Sequence, residues 1–229
     1  GNSCTIDSCD AKSGACKNTS VKDDTACSDG NQCTTGTVCK AGKCEGKDIC
    51  TFAALLQESF PCDKSASWAM VPANKEPETG WHIDGTSNPP GYKSGKCSLN
   101  FNNGKDFSNG NAPVKGHATS PAVTLPAKGH ARVSVWSFHA VEGHNGYDHR
   151  RVLISDDGFK ASIQSVKLDN AANYNKWAKV EISLAAWLGK KIQVRFDFDS
   201  ADAQFNDRPG WFIDDLLIEA GNLDEGTSC

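Results

Sequence analysis

The chain has 229 residues, 11 cysteines and a formal net charge of -4. That length admits one large or two smaller domains, and the small charge, with no basic run, excludes a chain built to hold nucleic acid. No apolar stretch approaches the ~18 residues of a membrane helix, and so many cysteines argue for an oxidising compartment.

Cys4, Cys9, Cys16, Cys27, Cys33, Cys39, Cys44 and Cys50 all lie in residues 1–50, whereas every Trp, Phe and Tyr comes later. Ile6, Val21, Val38 and Ile49 are the branched aliphatics of this segment. Four such side chains cannot offset the conformational entropy of ordering it, so cross-links or metals must hold it. The spacings C-x4-C, C-x6-C and C-x5-C, with no His before His82, do not suit zinc, which leaves disulfides. The segment also repeats. Gly1-Asn2-Ser3-Cys4-Thr5 matches Gly30-Asn31-Gln32-Cys33-Thr34, and Ser13-Gly14-Ala15-Cys16 matches Ala41-Gly42-Lys43-Cys44. Two tandem modules are predicted over 1–50, with a turn at Asp29-Gly30, stacked as an irregular, disulfide-rich stalk. The modules resemble the cysteine-rich repeats of secreted myxobacterial and related deltaproteobacterial surface proteins. That resemblance implies export and no catalysis.

From residue 51 the pattern changes. Residues 51–60 are the best helix candidate, but they read better as a linker entering a first strand. Further strands are predicted at 96–101, 118–125, 132–141, 150–155 and 163–168. Strict alternation follows in Ala178, Val180, Ile182 and Leu184, and again in Ile192, Val194, Phe196 and Phe198. A last strand is predicted at 210–219. Asn88-Pro89-Pro90-Gly91, Asn102-Asn103-Gly104 and Asp156-Asp157-Gly158 punctuate the gaps. This many strands with long loops predicts a mainly β chain, its second domain (51–222) a two-sheet sandwich.

Several strings carry a second resemblance: Glu58-Ser59-Phe60 with Trp68, Thr119 to Leu125, Tyr147-Asp148, Val152 to Gly158, Trp187 to Phe196, and above all Gly210-Trp211-Phe212-Ile213-Asp214-Asp215-Leu216. Over residues 55–220 the chain resembles the MAM-like jelly roll of gingipain cleaved-adhesin domains and of immune-inhibitor-A-type peptidases. The resemblance implies a galactose-binding-like β-sandwich, often with structural calcium, serving adhesion or accessory binding.

Calcium takes six to eight oxygens, carboxylates among them. Asp214 and Asp215 stand side by side in an apolar strand, so alternation should turn one toward the core, where an unpaired carboxylate is costly. A structural Ca2+ would relieve that cost. The resemblance adds Glu58, and Asp63 is close to it in sequence. The alternatives are a pair with Arg195 or the capping of a loop amide. Asp197, Asp199, Asp202 and Asp207 read as a solvated strand face and loop. His139, Glu142 and His144 match neither H-E-x-x-H nor H-x-x-E-H and read as a loop. No nucleophile elbow or phosphate-binding glycine loop is present, so the chain reads as no enzyme. Trp81 and Tyr92, taken as loop-borne, are the candidates for stacking on a sugar.

These features predict a secreted or cell-surface protein that works in adhesion or assembly, with protein partners, copies of itself head-to-tail, or glycans. A subunit of a filament or fibre is one form. The alternative is a carbohydrate-binding accessory module of a secreted hydrolase or peptidase. Residues 223–229 resemble the approach to a further cysteine module, Cys62 and Cys97 are placed to pair, and Cys229 stands apart from both groups.

Overall fold

A computed structural model describes residues 2–9, 15–29, 33–62, 67–71, 79–85, 91–142, 147–168 and 173–223. The chain divides into two compact units, Gly1–Phe52 with Gly221–Cys229, and Ala53–Ala220. Most of the expected segment 223–229, with Cys229, falls outside the described residues.

The smaller unit contains two antiparallel hairpins. Strand β1 (Thr5–Cys9) pairs with β2 (Cys16–Ser20), Cys9 opposite Cys16. Strand β3 (Thr34–Lys40) pairs with β4 (Lys43–Asp48), Cys39 opposite Cys44. Ala41 and Gly42 turn the second hairpin with φ of 47° and 79°, the left-handed pair a two-residue hairpin loop needs. Disulfides join Cys4 to Cys39, Cys27 to Cys44 and Cys33 to Cys50. The first of these crosses from one hairpin to the other, so the tandem modules are not closed separately. Among the described residues, Cys4, Cys33 and Cys39 are the unit's buried apolar side chains, while Ile6 is 63% exposed. The core of this unit is sulfur.

The larger unit is a two-sheet antiparallel sandwich. One sheet runs β13 (Ile163–Lys167), β12 (His149–Ser155), β15 (Lys191–Asp199), β9 (Lys115–Thr119), β6 (Ala69–Val71), with β10 (Val123–Thr124) also on β15. The other runs β14 (Ala178–Ser183), β11 (His130–Ala140), β16 (Gly210–Leu223), β8 (Ser98–Asn102), β7 (Gly80–Asp84), with β5 (Cys50–Glu58) also on β16. Alternation places Ile192, Val194, Phe196 and Phe198 inward against Val133, Val135, Leu99 and Phe101. Trp68 stacks on Phe196, and Trp211 meets Phe196 and Trp81 edge-on. Trp211 Nε1 donates to Ser137 Oγ at 2.9 Å, which satisfies the one polar atom of that ring.

Residues 51–58 belong to β5, so most of the stretch read as a linker is itself a strand, and it is not a helix. The strand expected over 118–125 breaks in two, because Pro121 has no N–H to give the ladder. Ser120 bridges the gap instead, its N–H donating to Val194 O and its hydroxyl accepting from Val194 N. Strands β6 and β7 were not expected. Gly210 opens β16 with φ 102°, and a Cβ there would stand 2.3 Å from the Phe101 carbonyl oxygen, so only glycine fits.

Candidate functional site

Asp214 and Asp215 break the alternation that was expected of them. Asp215 has φ 48°, and Ile213 and Leu216 on either side are both buried in the core. One extra residue is thus accommodated as a bulge, and both carboxylates reach the same loop. Asp214 is fully buried on the face of the sheet away from the core. Its Oδ2 accepts the Lys93 and Ser94 amides at 2.8 and 2.9 Å, and its Oδ1 accepts the Asp215 amide at 2.8 Å. Ser94 Oγ donates to Asp215 Oδ1. Burial raises the Asp214 carboxyl above its ordinary value, and the three amides pull it back down. Arg195 is not its partner. It lies on the outer face of the other sheet, over the Phe159 ring and bonded to Thr119.

These donors bear on calcium. Glu58 accepts the Phe60 amide at 3.1 Å, and Asp63 lies outside the described residues. Among the described residues, no three carboxylates and histidines converge on one point within 4.8 Å. Positive amide dipoles already fill three of the sites where Asp214 would meet a cation. The cost of burying Asp214, which called for a cation, is met by these backbone amides. Chelation followed by calcium re-addition is expected to move Tm by less than about 1 °C in a thermal melt. A fall of several degrees, restored by calcium, would put the ion back.

What Asp214 holds is the segment 91–97. Three further ties fix it. Cys97 is joined to Cys62, Ser98 Oγ donates to Gly91 O at 2.6 Å, and Lys93 Nζ lies 4.3 Å over the Trp136 ring. On this clamped segment Tyr92 is 42% exposed. It borders a groove of about 550 Å³ with Ile83, Asp84, Lys96 and the Cys62–Cys97 disulfide. Asp84 is oriented by Asn100 Nδ2 at 2.9 Å and by His82 Nε2 at 3.4 Å. Tyr92 is thus an exposed ring beside an oriented carboxylate and an ammonium, on a segment tied at several points.

Trp81 needs the opposite correction. It lies in β7, 6% exposed, its ring against Phe101, Phe196 and Trp211. The polar neighbours Thr79, Gly80 and His82 suggested a loop, but a period-2 strand puts Trp81 and Ile83 inward and His82 and Asp84 outward. Trp81 cannot touch a ligand in this fold.

A second polar cluster was read only as a loop. His139 is in β11 and buried; burial, and next the charge of Arg150, hold its imidazole down to about 3, so it is neutral. Asp148, also buried, accepts the Glu142 amide, and burial pushes its carboxyl up to about 7. Unfolded, it would titrate near 3.8. The folded state thus holds a proton that the unfolded state has lost, and stability falls as pH rises from about 4 to about 7. The upper bound is about 4 kcal/mol, and loop relaxation brings the expected fall to about 2 kcal/mol. Asp148→Asn should flatten that window in urea titrations at pH 5 and 8, and its φ of 49° suits Asn. His144 lies outside the described residues. Asp197 pairs with Arg151 at 3.1 Å on the outer sheet face, and Asp199 and Asp202 cap loop amides.

Tyr147, Tyr174 and Phe205 are further exposed aromatics, none of which the sequence reading took as a ligand contact. Each sits in a Gly-, Asn- or Asp-rich stretch between strands, the same signal that singled out Tyr92.

No family model matches the sequence, and no curated protein matches it. Solved structures share the fold. The Stig cyclase Fisc from Fischerella sp. TAU has 10% identity and a TM-score of 0.50, over 76% of this chain and 100% of that one. A cleaved adhesin domain of Lys-gingipain from Porphyromonas gingivalis has 21% identity and a TM-score of 0.48, over 74% and 98%. The CBM22-1 xylan-binding domain from Paenibacillus barcinonensis has 11% identity and a TM-score of 0.46, over 75% and 97%. The likeness is one of fold: the larger unit is a jelly-roll sandwich. Among the described residues no helix is long and apolar enough to cross a membrane.

Proposed function

We propose that the chain is an extracellular, non-enzymatic binding protein in which the sandwich presents the Tyr92 groove to a carbohydrate on a surface. The groove is the observation that carries this reading: its one exposed ring is held by Asp214, by a disulfide and by a cation–π contact, and polar groups flank it. Tyrosine offers a π face for a sugar's C–H face, and Asp84 and Lys96 offer an acceptor and a donor for hydroxyls. The disulfide-built smaller unit supports an oxidising, extracellular setting. Adhesion is the use we infer. The same groove would also serve the second reading, an accessory module of a secreted hydrolase, which its aromatic-and-polar make-up favours equally. Capture of cells against capture of bulk soluble polysaccharide separates the two. A glycan array is the first test. Tyr92→Ala should remove the signal of the best ligand while leaving Tm within about 1 °C, and an array with no ligand for the wild type would defeat the reading.

A further inference from the structure

Two bridges of the smaller unit lie against each other. The Sγ atoms of Cys4, Cys27 and Cys44 all fall within 4.8 Å of one another, although they belong to two different disulfides. A fourth sulfur, that of Cys39, is bonded to Cys4. Four sulfurs thus meet at one place. A tetrahedral zinc–thiolate site has Zn–S bonds of ~2.3 Å, which sets its sulfurs about 3.8 Å apart. Opening both S–S bonds therefore leaves shifts of only about 1–2 Å to make, within reach of small side-chain rotations.

The four cysteines are also positioned by contacts that do not involve sulfur. Cys39 and Cys44 are opposite partners in the β3–β4 hairpin, so their side chains share one face. Cys4 is tied to the tip of that hairpin through Asn2, whose Oδ1 accepts the Cys4 amide at 3.0 Å while its Nδ2 donates to Gly42 O at 2.7 Å. Cys27 is tied to β3. Its amide donates to Thr37 O at 3.1 Å, Thr37 Oγ1 donates to Cys27 O, and the Cys39 amide donates to Thr25 O at 2.8 Å. Lys40 and Lys43 flank the hairpin turn and offset part of the negative charge that four thiolates bring. Cys4 and Cys39 are buried, whereas Cys27 and Cys44 are half-buried, so the cluster has a solvent side. The spacings gave no sign of this, because Cys4 and Cys27 reach the hairpin from separate stretches of chain.

We propose that the reduced chain holds one zinc ion here, on the thiolates of Cys4, Cys27, Cys39 and Cys44. A phosphine opens each bridge: the S–S bond takes two electrons and two protons, and the phosphine leaves as its oxide with the oxygen of a water. Zinc then displaces the four thiol protons and forms four Zn–S bonds. The ion replaces two cross-links with one, and its binding becomes folding of the unit. The same four residues are a pair of disulfides when oxidised and a metal site when reduced. The site is independent of the Tyr92 groove.

The test uses the full chain, reduced by a phosphine in metal-free buffer, with Co2+ as the spectroscopic probe and Zn2+ as its competitor. Co2+ is expected to give the thiolate charge-transfer and d–d bands of a tetrahedral sulfur site, and Zn2+ to bleach them. Zn2+ should also restore hydrogen-exchange protection to β3 and β4, which the reduced metal-free chain lacks. Cys27→Ser with Cys44→Ser should weaken Co2+ binding at least about tenfold and abolish the restored protection. Cys33→Ser with Cys50→Ser, which removes the neighbouring bridge, should keep the bands. Since the cobalt spectrum is read on the reduced chain, it does not depend on either variant forming its disulfides. Absence of the tetrahedral thiolate bands, bands unchanged in the Cys27/Cys44 variant, bands lost equally in the Cys33/Cys50 variant, or zinc bound with no protection regained in β3 and β4 would each overturn the assignment.

Discussion

Reduction of the disulfides is expected to unfold residues 2–50 and leave the sandwich of Ala53–Ala220 folded. In the smaller unit the buried apolar groups among the described residues are half-cystines, so breaking the cross-links removes the core along with the constraint. The three bridges span 35, 17 and 17 residues, and loops of that size are worth about 3–4 kcal/mol each in the unfolded ensemble. A unit of this size without an apolar core has nothing of that magnitude in reserve. The sandwich loses only Cys62–Cys97 and keeps a continuous core from Phe60 to Ala220. Hydrogen exchange read by mass spectrometry, with and without a phosphine reductant, checks this. Amides of β3 and β4 should exchange at unfolded rates after reduction, while those of β11 and β15 stay protected. Protection retained in β3 and β4 would mean a core that the described side chains do not supply.

Trp81→Ala is expected to cost about 3–5 kcal/mol of stability, as large-to-small changes of buried aromatics do. The ring touches Phe101, Phe196 and Trp211, which come from both sheets, so its loss leaves a cavity bounded by strands that cannot collapse onto one another. A loop-borne ring that stacked on sugars would behave in the opposite way, with stability held and affinity lost. Urea unfolding followed by far-UV circular dichroism separates these outcomes. A change below about 1 kcal/mol would contradict the buried placement.

The contrast between Trp81 and Tyr92 shows where sequence reading reached its end. Alternation in Ile192 to Phe198 and in Ala178 to Leu184 is a property of the strands themselves, and it put those strands and their inward faces on view. The same rule applied to Thr79-Gly80-Trp81-His82-Ile83-Asp84 would have marked Trp81 and Ile83 as inward, but the stretch is short and Gly-flanked and looked like a loop. Asp214-Asp215 stood out as chemically unusual, and rightly. Its partners, the amides of Lys93 and Ser94, are about 120 residues away and carry no side-chain signature, so cation and loop amide could not be told apart. The bulge at Asp215 has the same origin, since a positive φ at a non-glycine residue is set by packing around it. Cysteine counting identified the coreless segment. The Cys4–Cys39 bridge between hairpins was beyond it, because spacing does not determine connectivity.

The central claim is that a clamped loop makes Tyr92 the contact residue of the sandwich. The most direct measurement is the Kd of wild type and Tyr92→Ala for the best glycan-array ligand, with Asp214→Asn as the variant that slackens the clamp. A loss of at least tenfold is predicted for Tyr92→Ala at unchanged Tm, and a smaller loss for Asp214→Asn. Equal affinity for wild type and Tyr92→Ala would contradict it.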